Sequence, residues 1–272
     1  MAESQALALV NSWPVDTVAV AVVNKDGVLA RTGPETELPW ASVTKPLTAL
    51  TVLAAVDDGL VALDDPAGPP GSTVRHLLAH ASGLNLDDDQ VMGRPGQRRI
   101  YSNRGFEVLA DHLAERAEGS FADLMIDLVL DQIDMPDTVL EGSAASKVTG
   151  PVGDLATLAR ELLNPTIAPA LTREAAKVAF PGLSGVLPGY GRQDPNDWGL
   201  GFEIRANKSP HWTGANNSPT TFGHFGQTGT FLWVDPVAGL ACACLTDRAF
   251  GEWAIPLWPA LSDAVLAEFA QP

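Results

Sequence analysis

The segment Pro39–Leu60 decides the fold class and reads PWASVTKPLTALTVLAAVDDGL. Between Pro39 and Val56 its only charged residue is Lys45, so most of the segment is typical of a buried helix. Lys45 stands three residues after Ser42, and residues three apart share one face of a helix. Because removal from water lowers the pKa of a lysine, Lys45 is a candidate base for the Ser42 hydroxyl. The alternative is that Ser42 caps the helix and Lys45 extends its amine into solvent.

Strand patterns lie near both ends of the chain, and helical patterns lie between them. A hairpin is predicted from Val18–Val23, the Lys-Asp-Gly turn that follows and the residues after that turn. Three further strands are predicted at WGLGFEIRA, TFLWVDP and GLACACLTD. We therefore expect an α+β fold, with an antiparallel sheet of about five strands flanked by N- and C-terminal helices and an inserted all-α domain. The predicted domains are 1–62 together with 185–272 for the sheet, and 63–184 for the helices. We expect the active site in the cleft between them.

Composition limits the classes of function. The chain has 272 residues, of which 46% are hydrophobic and 18% are charged, as in a compact globular protein. The formal net charge of −16 argues against nucleic acids and anionic membranes as partners. No export signal begins the sequence and no window approaches the ~18 apolar residues of a membrane span, so a cytoplasmic location is expected. Cys242 and Cys244 are expected to be small buried residues, the alternative being a redox or metal-binding pair.

A second motif, GQRRIYSNRGF, places Tyr101 two residues before Asn103, just ahead of a predicted helix. A tyrosine held near a cation can deliver a proton to a leaving group. An asparagine two residues along can hold the lysine or a substrate carbonyl. Capping of the helix by Ser102 or Asn103 is a further interpretation, and it is compatible with the first.

A third motif, TFGHFGQTGTFLWVDP, contains His224 in a predicted edge-facing strand. Glycines on both sides of this histidine, among them Gly226, permit close approach of another backbone or of a ligand. Backbone N–H groups along such a strand can stabilise an oxyanion. Taken alone, a single histidine is more often structural than catalytic. Five aromatic residues are candidates for an apolar pocket or for the core: Trp40, Trp198, Trp212, Phe222 and Phe225.

With SVTK, YSN and HFG in this order, the sequence resembles the penicillin-recognising serine hydrolases. This family comprises class C β-lactamases, D-alanyl-D-alanine peptidases and related esterases. The resemblance implies that Ser42 is the acylated nucleophile and Lys45 its proton acceptor. It also implies that Tyr101 is the general acid/base and that Asn103 orients Lys45 and the substrate.

The third motif departs from the family pattern, because His224 stands where the family has a lysine. The resemblance implies that His224 and Gly226 contact the substrate, and that the N–H groups of Ser42 and Gln227 form the oxyanion hole. A histidine is weakly charged near neutral pH, so the substitution favours esters over β-lactams. If its charge holds an anionic substrate, affinity should fall as the pH rises through ~6.5.

We therefore expect a serine hydrolase acting on small carboxylic esters. The alternatives are β-lactamase or D-amino-acid amidase or peptidase activity and, from another class, a catalytically idle ligand-binding homologue. No cofactor and no metal are expected, and the expected partner is a small-molecule ester or amide. His76 and His80 have ligand spacing on a helix but no third ligand, so structural roles are predicted for them.

Overall fold

The computed structural model describes residues 4–270. Short 3₁₀ segments occur at Leu9–Ser12 and Ala41–Val43, and a π-helical turn occurs at Ile126–Leu130. The helices are α1 (Gln5–Ala8), α2 (Thr44–Asp57), α3 (Val74–Leu78), α4 (Asn103–Ala117), α5 (Phe121–Met125), α6 (Val152–Leu163), α7 (Pro169–Ala175) and α8 (Ala254–Phe269). The strands are β1 (Val18–Asn24), β2 (Gly27–Thr32), β3 (Leu38–Pro39), β4 (Val139–Leu140), β5 (Val148–Gly150), β6 (Gly185–Leu187), β7 (Gly191–Gln193), β8 (Glu203–Ile204), β9 (Phe222–Gly226), β10 (Thr230–Asp235) and β11 (Leu240–Thr246).

The main sheet is antiparallel and has the strand order β2-β1-β11-β10-β9-β8. The predicted α+β fold is confirmed, as is the hairpin of β1 and β2. The sheet has six strands rather than about five, because the segment around His224 pairs with β10 along its whole length and forms β9. Strands β3, β4 and β5 form a small second sheet, and β6 and β7 form a hairpin.

Alternate residues of the central strands supply two separate cores. On one face, residues such as Val20 and Cys242 pack with the N-terminal residues and α8, where Trp258 is fully buried. On the other face, residues such as Ala21 and Ala243 pack with α2 and α6. Because side chains alternate across a strand, a continuous apolar run such as that of β11 fills both cores. Cys242 and Cys244 are buried and unpaired on the α8 face, as predicted.

The segment 63–184 is not purely a separate helical layer. Its helices α3, α4 and α5 pack with one another or with α2, but α6 lies against β1, β10 and β11. The apolar side of α6, with Leu155, Leu158 and Leu162 buried, covers the sheet. The predicted domain boundaries stay a prediction, and α6, which falls within 63–184, packs on the main sheet.

Serine side chains cap the starts of α4 and α5. Ser102 precedes α4 and its Oγ accepts a hydrogen bond from the Gly105 N–H at 2.9 Å, so Ser102 rather than Asn103 is the cap. Ser120 caps α5 in the same way through the Asp123 N–H. Of the helices within residues 4–270, none is both long and apolar enough to cross a lipid bilayer. The cytoplasmic location stays a prediction.

A buried charge cluster fixes the sheet edge beside β9. Glu203 of β8 contacts the Lys208 ammonium through Oε1, and its Oε2 accepts hydrogen bonds at 2.9 Å from His211 Nε2 and Trp212 Nε1. Burial alone raises the pKa of Glu203, but His211 and Lys208 outweigh this effect and hold its pKa well below the usual range. The carboxylate is therefore ionised and fully paired, which ties β8 to the segment 208–212 that follows it.

We predict that removal of the Lys208 charge destabilises this edge. Lys208→Met leaves Glu203 buried without its cation, which should lower the free energy of unfolding by about 3–5 kcal/mol. Urea titration at pH 7 measures the change. Lys177→Met is the matched control, because Lys177 pairs with Glu174 on the surface and the pair should be worth less than about 1 kcal/mol. Equal losses in the two variants would contradict the account.

Candidate active site

Ser42 lies in the 3₁₀ turn Ala41–Val43 and Lys45 lies in the first turn of α2. The Lys45 Nζ and Ser42 Oγ atoms are 3.4 Å apart, so the predicted pairing of the two side chains is observed. Val43, not Ser42, is the N-cap residue of α2, and the Lys45 side chain has no exposed surface. The alternative of a capping serine and a solvent-seeking lysine is therefore wrong.

The amine of Lys45 is surrounded by neutral acceptors and aromatic rings. Its Nζ donates to Asn103 Oδ1 at 2.7 Å and to the Ala145 carbonyl oxygen at 3.0 Å. It lies 4.8 Å from the Tyr101 ring centroid and 5.5 Å from that of Phe106. Burial lowers the pKa of Lys45 to about 7, and the charges of nearby acids oppose this only in part. A large share of the molecules therefore carries a neutral Lys45 at neutral pH.

The neutral amine of Lys45 has one geometry that satisfies all its neighbours. It possesses two N–H groups and one lone pair. The two carbonyl-type oxygens, Asn103 Oδ1 and Ala145 O, accept only, so they take both N–H groups. The lone pair is left for the third neighbour, Ser42 Oγ. This arrangement lets Ser42 donate its proton to Lys45.

Tyr101 completes the contacts of the Ser42 hydroxyl. Its hydroxyl donates to Ser42 Oγ at 2.8 Å and lies 3.4 Å from His224 Nε2. Burial raises the pKa of Tyr101 above its usual value, and the hydrogen bond to Ser42 offsets only part of the shift. Tyr101 is thus a neutral phenol in the resting site.

Asn103 connects Lys45 to the acidic loop at residues 87–89. Its Oδ1 accepts from Lys45, and its Nδ2 donates to Asp87 Oδ1 at 2.7 Å. These two contacts fix which end of the amide faces the lysine. The carboxylate of Asp87 raises the pKa of Lys45 and so limits the effect of burial. None of the three sequence motifs connects Asp87 with the site.

His224 is buried and uncharged. Its Nδ1 lies 2.7 Å from the Phe225 carbonyl oxygen, which only accepts, so Nδ1 carries the proton and Nε2 has a lone pair. Nε2 lies 3.4 Å from the Tyr101 hydroxyl oxygen, whose proton goes to Ser42. Burial, reinforced by the charge of Lys45, lowers the pKa of His224 to about 3. The expectation of a charge on His224 that changes near pH 6.5 is therefore wrong, since the ring is neutral across that range.

The backbone of β9 reaches the turn that carries Ser42. A Cβ atom added to Gly226 would lie 2.6 Å from the Trp40 carbonyl oxygen, so only glycine fits there. Thr230 Oγ1 donates to the same carbonyl at 2.9 Å. Ala41 adopts the left-handed conformation, with φ of 46°, at a cost of roughly 1–2 kcal/mol. These contacts hold the Ser42 turn against the end of β9.

Strand β8 pairs only with Phe222 and Gly223 of β9, so the β9 residues from His224 onward have no strand partner on that side. His224, Phe225 and Gln227 border a cavity of about 300 Å³. Its polar lining consists of Ser42, Tyr101, Asn103, Glu203, His224 and Gln227. Its apolar lining consists of Leu86, Leu187, Pro188, Trp198 and Phe225. The cavity therefore brings the side chains predicted from three separate motifs together with Gln227, the second predicted oxyanion residue.

Of the five aromatic residues considered for an apolar pocket, Trp198 and Phe225 line this cavity. The other three, Trp40, Trp212 and Phe222, are buried in the two cores.

Sequence reasoning missed several contributors to the site. The Ala145 carbonyl carries no side-chain signal, because any residue offers the same oxygen. His80 packs its ring 4.5 Å from that of Tyr101, and its Nδ1 accepts from the Ser102 N–H at 3.1 Å. His76 Nδ1 is hydrogen-bonded with Thr73. These contacts fit the structural roles predicted for His76 and His80, which stay a prediction, and His80 also packs against Tyr101.

Comparison with known proteins agrees with this geometry. The sequence model of the Beta-lactamase family matches residues 14–265. The crystal structure of a beta-lactamase from Mycobacterium bovis is 53% identical in sequence and has a TM-score of 0.97, over 98% of this chain and 100% of that chain. No curated protein sequence matches the chain.

More distant structures share the fold. EstCE1, described as a hydrolase with promiscuous acyltransferase activity, has a TM-score of 0.79 at 16% identity, over 96% of each chain. Unliganded simvastatin synthase from Aspergillus terreus has a TM-score of 0.81 at 14% identity, over 99% of this chain and 100% of that chain. At these identities the likeness concerns the fold alone. The match of the family model over most of the sequence is decisive, and the chain belongs to the beta-lactamase family of hydrolases.

Proposed function

We propose that the protein is a serine hydrolase that forms an acyl-enzyme on Ser42 and acts on small carboxylic esters. The observation that carries the proposal is the environment of Lys45. Its amine has no exposed surface, has a pKa of about 7, and lies 3.4 Å from Ser42 Oγ, to which it can offer its lone pair when neutral. A serine hydroxyl becomes an effective nucleophile when a base within hydrogen-bond reach takes its proton.

Acylation moves two protons. Lys45 takes the Ser42 proton as Oγ attacks the ester carbonyl, and the oxyanion is stabilised by the N–H groups of Ser42 and Gln227. The new positive charge on Lys45, next to the Tyr101 ring, lowers the pKa of the phenol. Tyr101 then donates its proton to the departing alkoxide, which leaves as the alcohol.

Deacylation returns both protons. The Tyr101 phenolate takes a proton from water, and the hydroxide attacks the acyl carbon on Ser42. When the carbon–oxygen bond to Ser42 breaks, Oγ recovers a proton from the Lys45 ammonium. The product is a carboxylic acid, and the three side chains end in the protonation states in which they began.

The preference for esters rests on His224. A cation at this position would pair with a carboxylate next to the scissile bond, but His224 is neutral and its Nδ1–H is used by the Phe225 carbonyl. An anionic lactam thus lacks a partner at the third motif. The apolar walls formed by Leu187, Trp198 and Phe225 suit an uncharged acyl group.

The first prediction for this function concerns the nucleophile. A fluorophosphonate should form an adduct on the peptide that contains Ser42, as measured by mass spectrometry. Ser42→Ala should lower kcat/KM for p-nitrophenyl butyrate at least about 10³-fold, because the acyl-enzyme route is lost. The exposed Ser12 is a matched control, and Ser12→Ala should keep the wild-type rate.

Turnover that is undiminished in Ser42→Ala would contradict the acyl-enzyme. A protein that turns over no ester, amide or lactam through Ser42 would instead be the idle ligand-binding homologue that the sequence left open.

β-Lactam hydrolysis is the second candidate, because the Mycobacterium bovis protein at 53% identity is described as a beta-lactamase. Since His224 offers no charge to the lactam carboxylate, kcat/KM for p-nitrophenyl butyrate should exceed that for nitrocefin at least about tenfold. Both rates are measured spectrophotometrically, with Ser42→Ala as the background. Faster turnover of nitrocefin would reverse the assignment in favour of lactams.

A further inference from the structure

A second cavity, of about 430 Å³, adjoins the active site. It shares Leu86, Tyr101 and Pro188 with the first cavity, so the two cavities lie side by side. Its walls are the segment 98–101, the β6–β7 hairpin with the preceding Ser184, and residues of the segment 85–92. We call it the arginine cavity, because Arg98, Arg99 and Arg192 line it and none of the acidic residues within 4–270 does.

Backbone contacts hold the two sides of the arginine cavity together. The Arg99 N–H donates to the Ser184 carbonyl at 2.9 Å, and Arg99 and Gly185 form a parallel bridge. A Cβ atom on Gly185 would lie 2.5 Å from the Arg99 carbonyl oxygen, so the hairpin can seat here only with a glycine. The segment that leads into Tyr101 and the hairpin are therefore held together as one wall.

Arg99 supplies a buried positive charge that no carboxylate neutralises by direct contact. Its guanidinium donates only to backbone carbonyl oxygens, and its exposed fraction is 3%. The acceptors are the carbonyl oxygens of Asn196, Ala79, Ala179 and Phe180. Burial lowers the pKa of Arg99 to about 10, so the group stays charged at neutral pH. A charge held in this way projects a positive potential into the adjoining cavity.

The two other arginines are exposed and weakly engaged. Arg98 Nη2 donates to the Met92 carbonyl oxygen at 2.8 Å. Arg192 lies 3.8 Å from the Asp194 carboxylate, and both of these side chains are mostly in water. A long, solvated ion pair is worth little, so Arg192 can turn to a stronger partner.

The three acids of the loop at residues 87–89 are already engaged elsewhere. Asp87 accepts from Asn103, Asp88 accepts from Asn85 Nδ2, and Asp89 pairs with Arg104. None of the three lines the arginine cavity. The chain has a formal net charge of −16, so a cavity beside the reactive serine that is lined by three arginines differs in charge from the protein as a whole.

We propose that the arginine cavity binds a carboxylate or a similar anionic group at the far end of the ester whose carbonyl reacts at Ser42. Apolar residues such as Leu86 and Val186 line the path, so the group is carried on a short hydrocarbon chain. This inference rests on the proposed esterase function and names the substrate class: esters that are uncharged at the scissile bond and anionic at one end.

The test uses two matched pairs of esters. Mono-p-nitrophenyl adipate is compared with p-nitrophenyl hexanoate, which places the carboxylate on the acyl side. 3-Carboxyphenyl hexanoate is compared with phenyl hexanoate, which places it on the alcohol side. In at least one pair, kcat/KM should be higher for the charged ester, mainly through a lower KM. The ratio should fall as sodium chloride is raised from low concentration towards 1 M, because salt screens the arginines.

Arg98→Gln with Arg192→Gln should reduce this ratio about threefold to tenfold, since each exposed pair contributes modestly. The matched control is Arg116→Gln with Arg173→Gln, which removes the same charge from exposed positions outside both cavities and should leave the ratio unchanged. A ratio at or below one in both pairs, or a ratio that the cavity variants leave unchanged, would overturn the inference.

Failure of the proposed function gives a different result. If no ester is turned over through Ser42, the esterase assignment fails. Calorimetric titration of Ser42→Ala with the intact esters then tests the cavity alone, through the ratio of dissociation constants of the charged and neutral members. A preference for the charged ester that the two cavity substitutions remove supports the cavity, and equal affinities overturn it.

Discussion

The removal of the Lys45 amine from water is the constraint on which the rest of the site depends. Twelve of the fourteen residues of α2 are buried, and Lys45 is among them. Two acceptors, Asn103 Oδ1 and Ala145 O, offset part of the desolvation without supplying a negative charge. A carboxylate in their place would hold the lysine protonated and remove the base. The helix is therefore buried in a way that keeps one amine reactive.

The two ends of the substrate site, at Ser42 and at the arginine cavity, differ in charge. At Ser42 the groups are neutral at rest: a lysine with a lowered pKa, a phenol, and a histidine whose Nδ1 proton is held by a carbonyl. Fixed positive charge lies farther along the cleft, where Arg99 is held by carbonyl oxygens alone. A site of this kind can bind a substrate whose reacting bond is uncharged and whose far end carries an anionic group.

Much of this arrangement could be predicted from local sequence patterns. Spacing placed Ser42 and Lys45 on one face, capping chemistry marked the start of α4, and glycines marked the approach of β9 to the nucleophile turn. What could not be predicted depends on contacts between distant segments. The Ala145 carbonyl has no sequence signature, and the low pKa of His224 follows from burial and the nearby Lys45. The position of α6 on the sheet was not predicted, because an apolar helix face shows that this side is buried but not which element packs against it.

The state of Lys45 is the central claim, and NMR titration of the protein labelled at lysine Cε measures it directly. The chain has five lysines, so few signals must be resolved, and Lys45→Met assigns the one that matters. Because its pKa in the folded protein is lowered from 10.5, the amine should lose its proton as the pH rises through about 7. The account predicts a Lys45 signal with that midpoint. A Lys45 signal that titrates near 10.5 would contradict it, since the lysine would then be a cation at neutral pH and no base for Ser42.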